Sequence, residues 1–163
     1  MGKTALVVLD VQNIFITDSN KLLPDKIKKH IETQNYDFII FSRFINSENS
    51  SFTQKLNWKE GNHSPAIDIV PELSELALKN HIFEKSTYSL FKSKNVVTFL
   101  AERNISKLFF CGVDLDACVL ASAFEAFDLG FEFEILVGLT GSSAKDDLNV
   151  SAKHIIKRNL QPY

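Results

Sequence analysis

A chain of 163 residues, 45% hydrophobic and 23% charged, is ordinary for a globular protein and long enough to bury one sizeable core. Its formal net charge of −2 excludes the large positive excess that steers proteins to nucleic acid or anionic membranes, so neither is expected as a partner. Two cysteines, Cys111 and Cys118, are too few for a disulfide framework, and the first apolar run lacks a cleavage pattern and is far too short to span a bilayer; a cytoplasmic protein is expected.

That run, Ala5 to Leu9, is continuously apolar and predicts a strand buried on both faces, as in a parallel sheet. Asp10 closes it, at the strand end where open α/β sheets place their chemistry. Pro24 opens a predicted helix to about Thr33, with Ile27 and Ile31 at helical spacing. Tyr36 to Phe44 reads as a second strand. From Ile45 to Pro65 the periodicity fades into a long polar loop that holds Trp58, the single tryptophan. A short helix over Pro71–Leu78 leads to a third strand, His81 to Glu84, with Lys85 at its end. Ser86 to Phe91 is a loop, and Val96, Val97, Phe99 and Leu100 mark a helix ending near Asn104.

Lys107 to Cys111 is the fourth strand. A Gly/Asp break follows, and a helix is predicted from Ala117 to Leu129 with Val119, Ala123, Phe124 and Phe127 inward and Gly130 as its stop. Phe131 to Val137 is a fifth strand, whose alternating Glu132 and Glu134 place it toward a sheet edge. A final helix runs from about Lys145 to Arg158. The alternation predicts a single domain over residues 1–163: a three-layer α/β fold with a mainly parallel sheet of about five or six strands flanked by helices.

Three ionisable residues then occupy equivalent places: Asp10 after strand one, Lys85 after strand three, Cys118 after strand four. On one edge of a parallel sheet they supply an acid–base group, a cation and a nucleophile. Cys118 falls at a helix start, where unpaired N–H groups and the dipole favour thiolate. Cys111 lies inside a strand and reads as core. Asp116 reads as a helix cap, and Arg43 as a surface ion pair or, less simply, a partner for a substrate carboxylate.

These features resemble the isochorismatase-like cysteine hydrolase superfamily. The likeness rests on Asp10-Val11-Gln12-Asn13-x-Phe15, on Lys85-x-x-Tyr88-Ser89-x-Phe91, and on Gly112-Val113-x-x-x-Ala117-Cys118-Val119 followed by Ala121, Ala123, Ala126 and Gly130. The resemblance implies that Cys118 attacks a carbonyl carbon to form a thioester, that Asp10 takes the thiol proton and passes it to the leaving amine, and that Lys85 holds Asp10 and stabilises the thiolate. It implies an oxyanion hole from the backbone N–H groups of Ala117 and Cys118, and a cis peptide at Val113–Asp114. It further implies a small-molecule substrate and assembly as a homo-oligomer. Gln12, Tyr88 and Asp114 are then pocket candidates. Phe15 is either a pocket wall or a core ring, and Trp58 a pocket or interface residue.

The nucleophile favours cleavage of an amide, ureide or carbamoyl C–N bond, because members that cleave the vinyl ether of isochorismate lack the cysteine. The alternatives are a catalytically silent binding relative and an isochorismatase proper. Nicotinamidases carry an Asp-x-His pair and a later His as metal ligands after strand two. Here Ser42-Arg43-Phe44-Ile45-Asn46-Ser47-Glu48-Asn49 has neither residue type, so no metal and no other cofactor is expected, and nicotinamide becomes a less favoured substrate. After strand five, Gly138-Leu139 stand where many members have Asp-Ala.

Overall fold

The computed structural model describes residues 2–144 and 146–160. Five parallel strands, β1 (Lys3–Leu9), β2 (Phe38–Phe44), β3 (His81–Lys85), β4 (Ile105–Gly112) and β5 (Glu132–Thr140), form one sheet in the order β3-β2-β1-β4-β5. The helices are α1 (Leu23–Thr33), α2 (Ser51–Leu56), α3 (Pro71–Leu78), α4 (Val96–Glu102), α5 (Leu120–Asp128) and α6 (Asp146–Asn159). No helix among the described residues is long and apolar enough to cross a membrane.

The apolar run of β1 lies at the centre of the sheet because both of its faces are covered. Ala5, Val7 and Leu9 pack with residues of α4, α5 and α6, while Leu6 and Val8 pack with residues of α1 and α3. Alternation along an extended chain sends odd and even residues to opposite faces, so one unbroken apolar run feeds two cores. The order of the strands reverses direction between β1 and β4, which opens a crevice beyond their C-terminal ends. β5 is an edge strand with Glu132 and Glu134 exposed, as their alternation predicts.

Several expectations shift. The polar stretch after β2 contains α2, started by Ser50, whose Oγ accepts from Thr53 N (3.1 Å), and ended by Asn57 in the left-handed region at φ 54°. Its two apolar residues, Phe52 and Leu56, are too few to register as a periodic stripe. The helix predicted from Ala117 is divided into a π-helical turn, Leu115–Val119, and α5. α5 turns Ser122, Ala123 and Ala126 inward, and Phe124 and Phe127 are exposed rather than inward. Small residues let α5 lie close on the sheet, and the bulky rings are displaced outward. Gly138 and Leu139 belong to β5 and not to the loop after it. α6 begins at Asp146; Lys145, expected at its start, lies outside the described residues.

Candidate active site

Asp10 follows β1 with φ 50°, a left-handed conformation uncommon for a residue with a side chain and one that accumulates at functional sites. Ser42 of β2 holds it from two directions: its Oγ accepts from Asp10 N (3.0 Å) and donates to Asp10 Oδ1 (2.5 Å). Lys85, the last residue of β3, reaches back across β2, and its Nζ lies 2.6 Å from Asp10 Oδ2. Nζ also donates to Thr87 O (2.8 Å) and to Cys118 Sγ (3.3 Å). The Oδ2 contact is a close ion pair without a well-directed hydrogen bond, so this oxygen keeps a lone pair uncommitted.

Gly112 brings Cys118 to this pair. A Cβ there would sit 2.2 Å from Leu9 O, and its φ is 109°, so only glycine lets the end of β4 close against the end of β1. Val113 N then donates to Leu9 O (2.9 Å), the Val113–Asp114 peptide is cis, and Leu115 N donates to Gly141 O (2.8 Å). The π-helical turn that follows carries Cys118 to the edge of the crevice.

The electrostatics differ from a thiolate resting at a helix start. Burial pushes the Cys118 thiol up, the Asp10 charge pushes it further, and Lys85 opposes both. With the sulfur desolvated in a turn of only five residues, burial outweighs the dipole and Cys118 rests as a thiol. Burial opposes the charge of Lys85, but the Asp10 carboxylate beside it outweighs burial and holds the ammonium above its ordinary value. Cys111 is fully buried in β4, and burial pushes its thiol up as well.

A cavity of about 450 Å³ opens over Cys118. Phe15, Trp58, Tyr88, Asp114 and Ala117 line it with Cys118, as do Ile14, Phe44, Phe52, Leu56, Glu60 and Ser143. Five rings form its walls: Phe15 stacks on Trp58 (centroids 6.4 Å apart), Phe44 meets Phe52 edge-on (4.9 Å), and Phe52 meets Tyr88 edge-on (4.7 Å). Phe15 lines the cavity and also packs against the core, so both readings of it describe the ring, and Trp58 lines the cavity beside it.

Other candidates are placed elsewhere. Gln12 is fully buried and outside the cavity. Its Nε2 donates to Phe44 O (2.8 Å) and Ile67 O (2.7 Å), and Phe44 N donates to its Oε1 (2.7 Å). It ties β2 to the loop before α3. Arg43 pairs with Glu84 opposite it on β3. Asp116 lies inside the π-helical turn rather than at its N-cap, and its carboxylate accepts from Ser142 Oγ (2.5 Å). Asp114 accepts from Ser143 N and Ser143 Oγ, each at 2.6 Å; burial raises its carboxyl and these two bonds oppose the rise. The Ala117 N–H, one of the two expected oxyanion donors, donates to Asp114 O (3.1 Å).

The end of β2 and the segment after it are engaged in other contacts. Phe44 contributes a wall ring, and Asn46 Nδ2 donates to Trp58 O (2.9 Å) and Glu60 O (3.0 Å). Glu48 and His63 are exposed, and among the described residues no three His, Cys, Asp or Glu side chains converge.

Sequence reasoning missed Ser42, Ser143, Phe44, Phe52, Leu56 and Glu60. Ser42 had one usable signal, its position near the end of a predicted strand beside Asp10. Phe52 and Leu56 of α2 had none, because they reach the cavity only through the folding of a stretch without periodicity.

The fold and part of the sequence recur in known proteins. The nicotinamidase PncA of Bacillus subtilis superposes with a TM-score of 0.82 at 23% identity, covering 96% of each chain. The N-carbamoylsarcosine amidase of Thermoplasma acidophilum gives 0.81 at 22% identity over 96% of this chain and 92% of its own. At these identities the likeness establishes the fold. By sequence, an uncharacterized isochorismatase family protein, PncA of B. subtilis (strain 168), is 25% identical over 82% of this chain and 83% of its own. Residues 4–161 match the isochorismatase domain, and the chain belongs to the isochorismatase family of hydrolases.

Proposed function

We propose that this protein is a cysteine amidohydrolase that cleaves the C–N bond of a small amide, ureide or carbamoyl compound without a metal. The observation that carries the reading is the position of Lys85 Nζ, 2.6 Å from Asp10 Oδ2 and 3.3 Å from the Sγ of Cys118, which lines the cavity. In the resting site Asp10 and Lys85 are the charged pair and Cys118 is neutral. When the sulfur attacks the carbonyl carbon, its proton passes to Asp10 and the negative charge moves to the carbonyl oxygen, while Lys85 keeps its charge. The three side chains carry no net charge before attack, and afterwards their single positive charge is balanced by the oxyanion, so the site as a whole stays neutral, which is what a desolvated site requires. A resting thiol with a base beside it suits attack in step with proton transfer.

The tetrahedral oxyanion forms next to the N–H groups of Ala117 and Cys118, the former sharing its bond to Asp114 O. Asp10 returns the proton to the nitrogen, the C–N bond breaks, and ammonia or an amine leaves a thioester on Cys118. Asp10, again a base, takes a proton from water, which attacks the thioester carbon and releases the acid and the thiol. The balance is amide plus water to acid plus amine.

The test is ammonia release over a panel of small primary amides, ureides and carbamoyl acids, with intact-mass measurement at early times. Wild-type protein should turn over at least one compound and carry an acyl adduct on Cys118, and Cys118→Ala should fall by about a thousandfold with unchanged circular dichroism. Full activity in Cys118→Ala would overturn the thioester route. No turnover of any compound would leave a silent relative.

A further inference from the structure

The walls of the cavity and its charges select among amides. Phe15, Phe52, Trp58 and Tyr88 present ring surface to the same space, and the face of Phe44 already holds a cation, Lys85 Nζ, 5.3 Å from its centroid. Asp10 neutralises that lysine. Among the described residues, the charged groups that line the cavity are the carboxylates of Asp114 and Glu60. Glu60 makes no ion pair among the described residues, and Lys55 lines a neighbouring groove, not this cavity. Ring faces attract cations, and the two carboxylates, Asp114 half-buried and Glu60 exposed at the mouth, add to that attraction while disfavouring an anionic group.

We propose that the substrate is a small primary amide whose far end carries a quaternary or protonated ammonium group, seated among these rings beside Glu60 and Asp114 while its carbonyl meets Cys118. This rests on the amidohydrolase reading above for its chemistry, but not for its binding. The same geometry disfavours amides that bear a carboxylate, since among the described residues no unpaired cation lines the cavity to receive one.

Trp58 is the single tryptophan and stands in the wall, so its fluorescence reports occupancy directly. Wild-type protein is titrated with choline and with 3,3-dimethylbutan-1-ol, which replaces the ammonium nitrogen by carbon. Choline should change the emission saturably at about tenfold lower concentration, and Glu60→Gln should shrink that ratio by about threefold. Equal response to both probes, or none to choline, overturns the inference. Independently, betaine amide should exceed 3,3-dimethylbutanamide in kcat/KM by about tenfold after division by their rates of alkaline hydrolysis, and malonamate should not react. Ammonia release without this preference refutes the cationic substrate and leaves the hydrolase reading intact. Saturable choline binding with no ammonia from any amide does the reverse.

Discussion

Replacing Lys85 by Met tests whether Asp10 and Lys85 are held together as a buried pair. Their side chains are 1% and 0% exposed and 2.6 Å apart, so removing the ammonium leaves a carboxylate facing no cation and no water. Methionine fills the space of the lysine stem, which keeps a cavity term out of the measurement. Thr87 O also loses its donor. Breaking such a pair costs about 3–5 kcal/mol, mostly from the stranded charge. With a urea dependence of about 2 kcal/mol per M for a small domain, the midpoint should fall by about 1.5–2.5 M. Asp10→Asn suits the left-handed backbone at that position, because asparagine tolerates it better than most residues. The double variant Asp10→Asn, Lys85→Met should therefore recover most of the loss, since neither charge remains to be stranded. A single-variant loss below about 1 kcal/mol, or a double variant that loses the sum of both singles, would refute the reasoning.

Gln12→Leu should lower stability by about 3 kcal/mol in thermal or urea unfolding, because it removes all three bonds to Phe44 and Ile67 from a fully buried site; a loss under about 1 kcal/mol would show that the loop does not depend on it. Stability should also fall at alkaline pH. Burial raises the thiols of Cys111 and Cys118, so above about pH 8.5 the unfolded chain gives up protons that the folded chain keeps, and each thiol removes about 1.4 kcal/mol per pH unit. The raised Lys85 acts in the same direction but later: its contribution is fully present below about pH 10.4 and is lost as pH rises through its higher folded value. Urea unfolding between pH 8.5 and 10 should show this slope in wild type and a flattened one in the Cys111→Ala, Cys118→Ala double variant; an unchanged slope would contradict it.

The strands and the strand-end residues were legible because they depend on local pattern. Ala5 to Leu9 is apolar at every position, and a strand with that property needs cover on both faces wherever it lies. Asp10 and Lys85 stand at strand ends, and in a parallel sheet all such ends share one edge. The inner face of α5 was not legible, because Phe124 and Phe127 satisfy the helical spacing as well as Ala123 and Ala126 do; the distance from the sheet decides between large and small. Gln12 resembled a pocket residue by motif and is instead a backbone tie, a role that depends on Ile67, 55 positions away.

The sequence by itself determined a parallel α/β fold and three chemical groups at one sheet edge, since both follow from periodicity and from the ends of runs. Only the tertiary structure decided the state of Cys118 and the character of the cavity. Whether that sulfur rests protonated depends on how completely neighbouring elements exclude water. The aromatic wall is assembled from Phe15, Phe44, Phe52, Trp58 and Tyr88, which come from separate segments and share no local pattern. Contacts between distant segments carry no period for a sequence to display, and these contacts shape the space a substrate must fit.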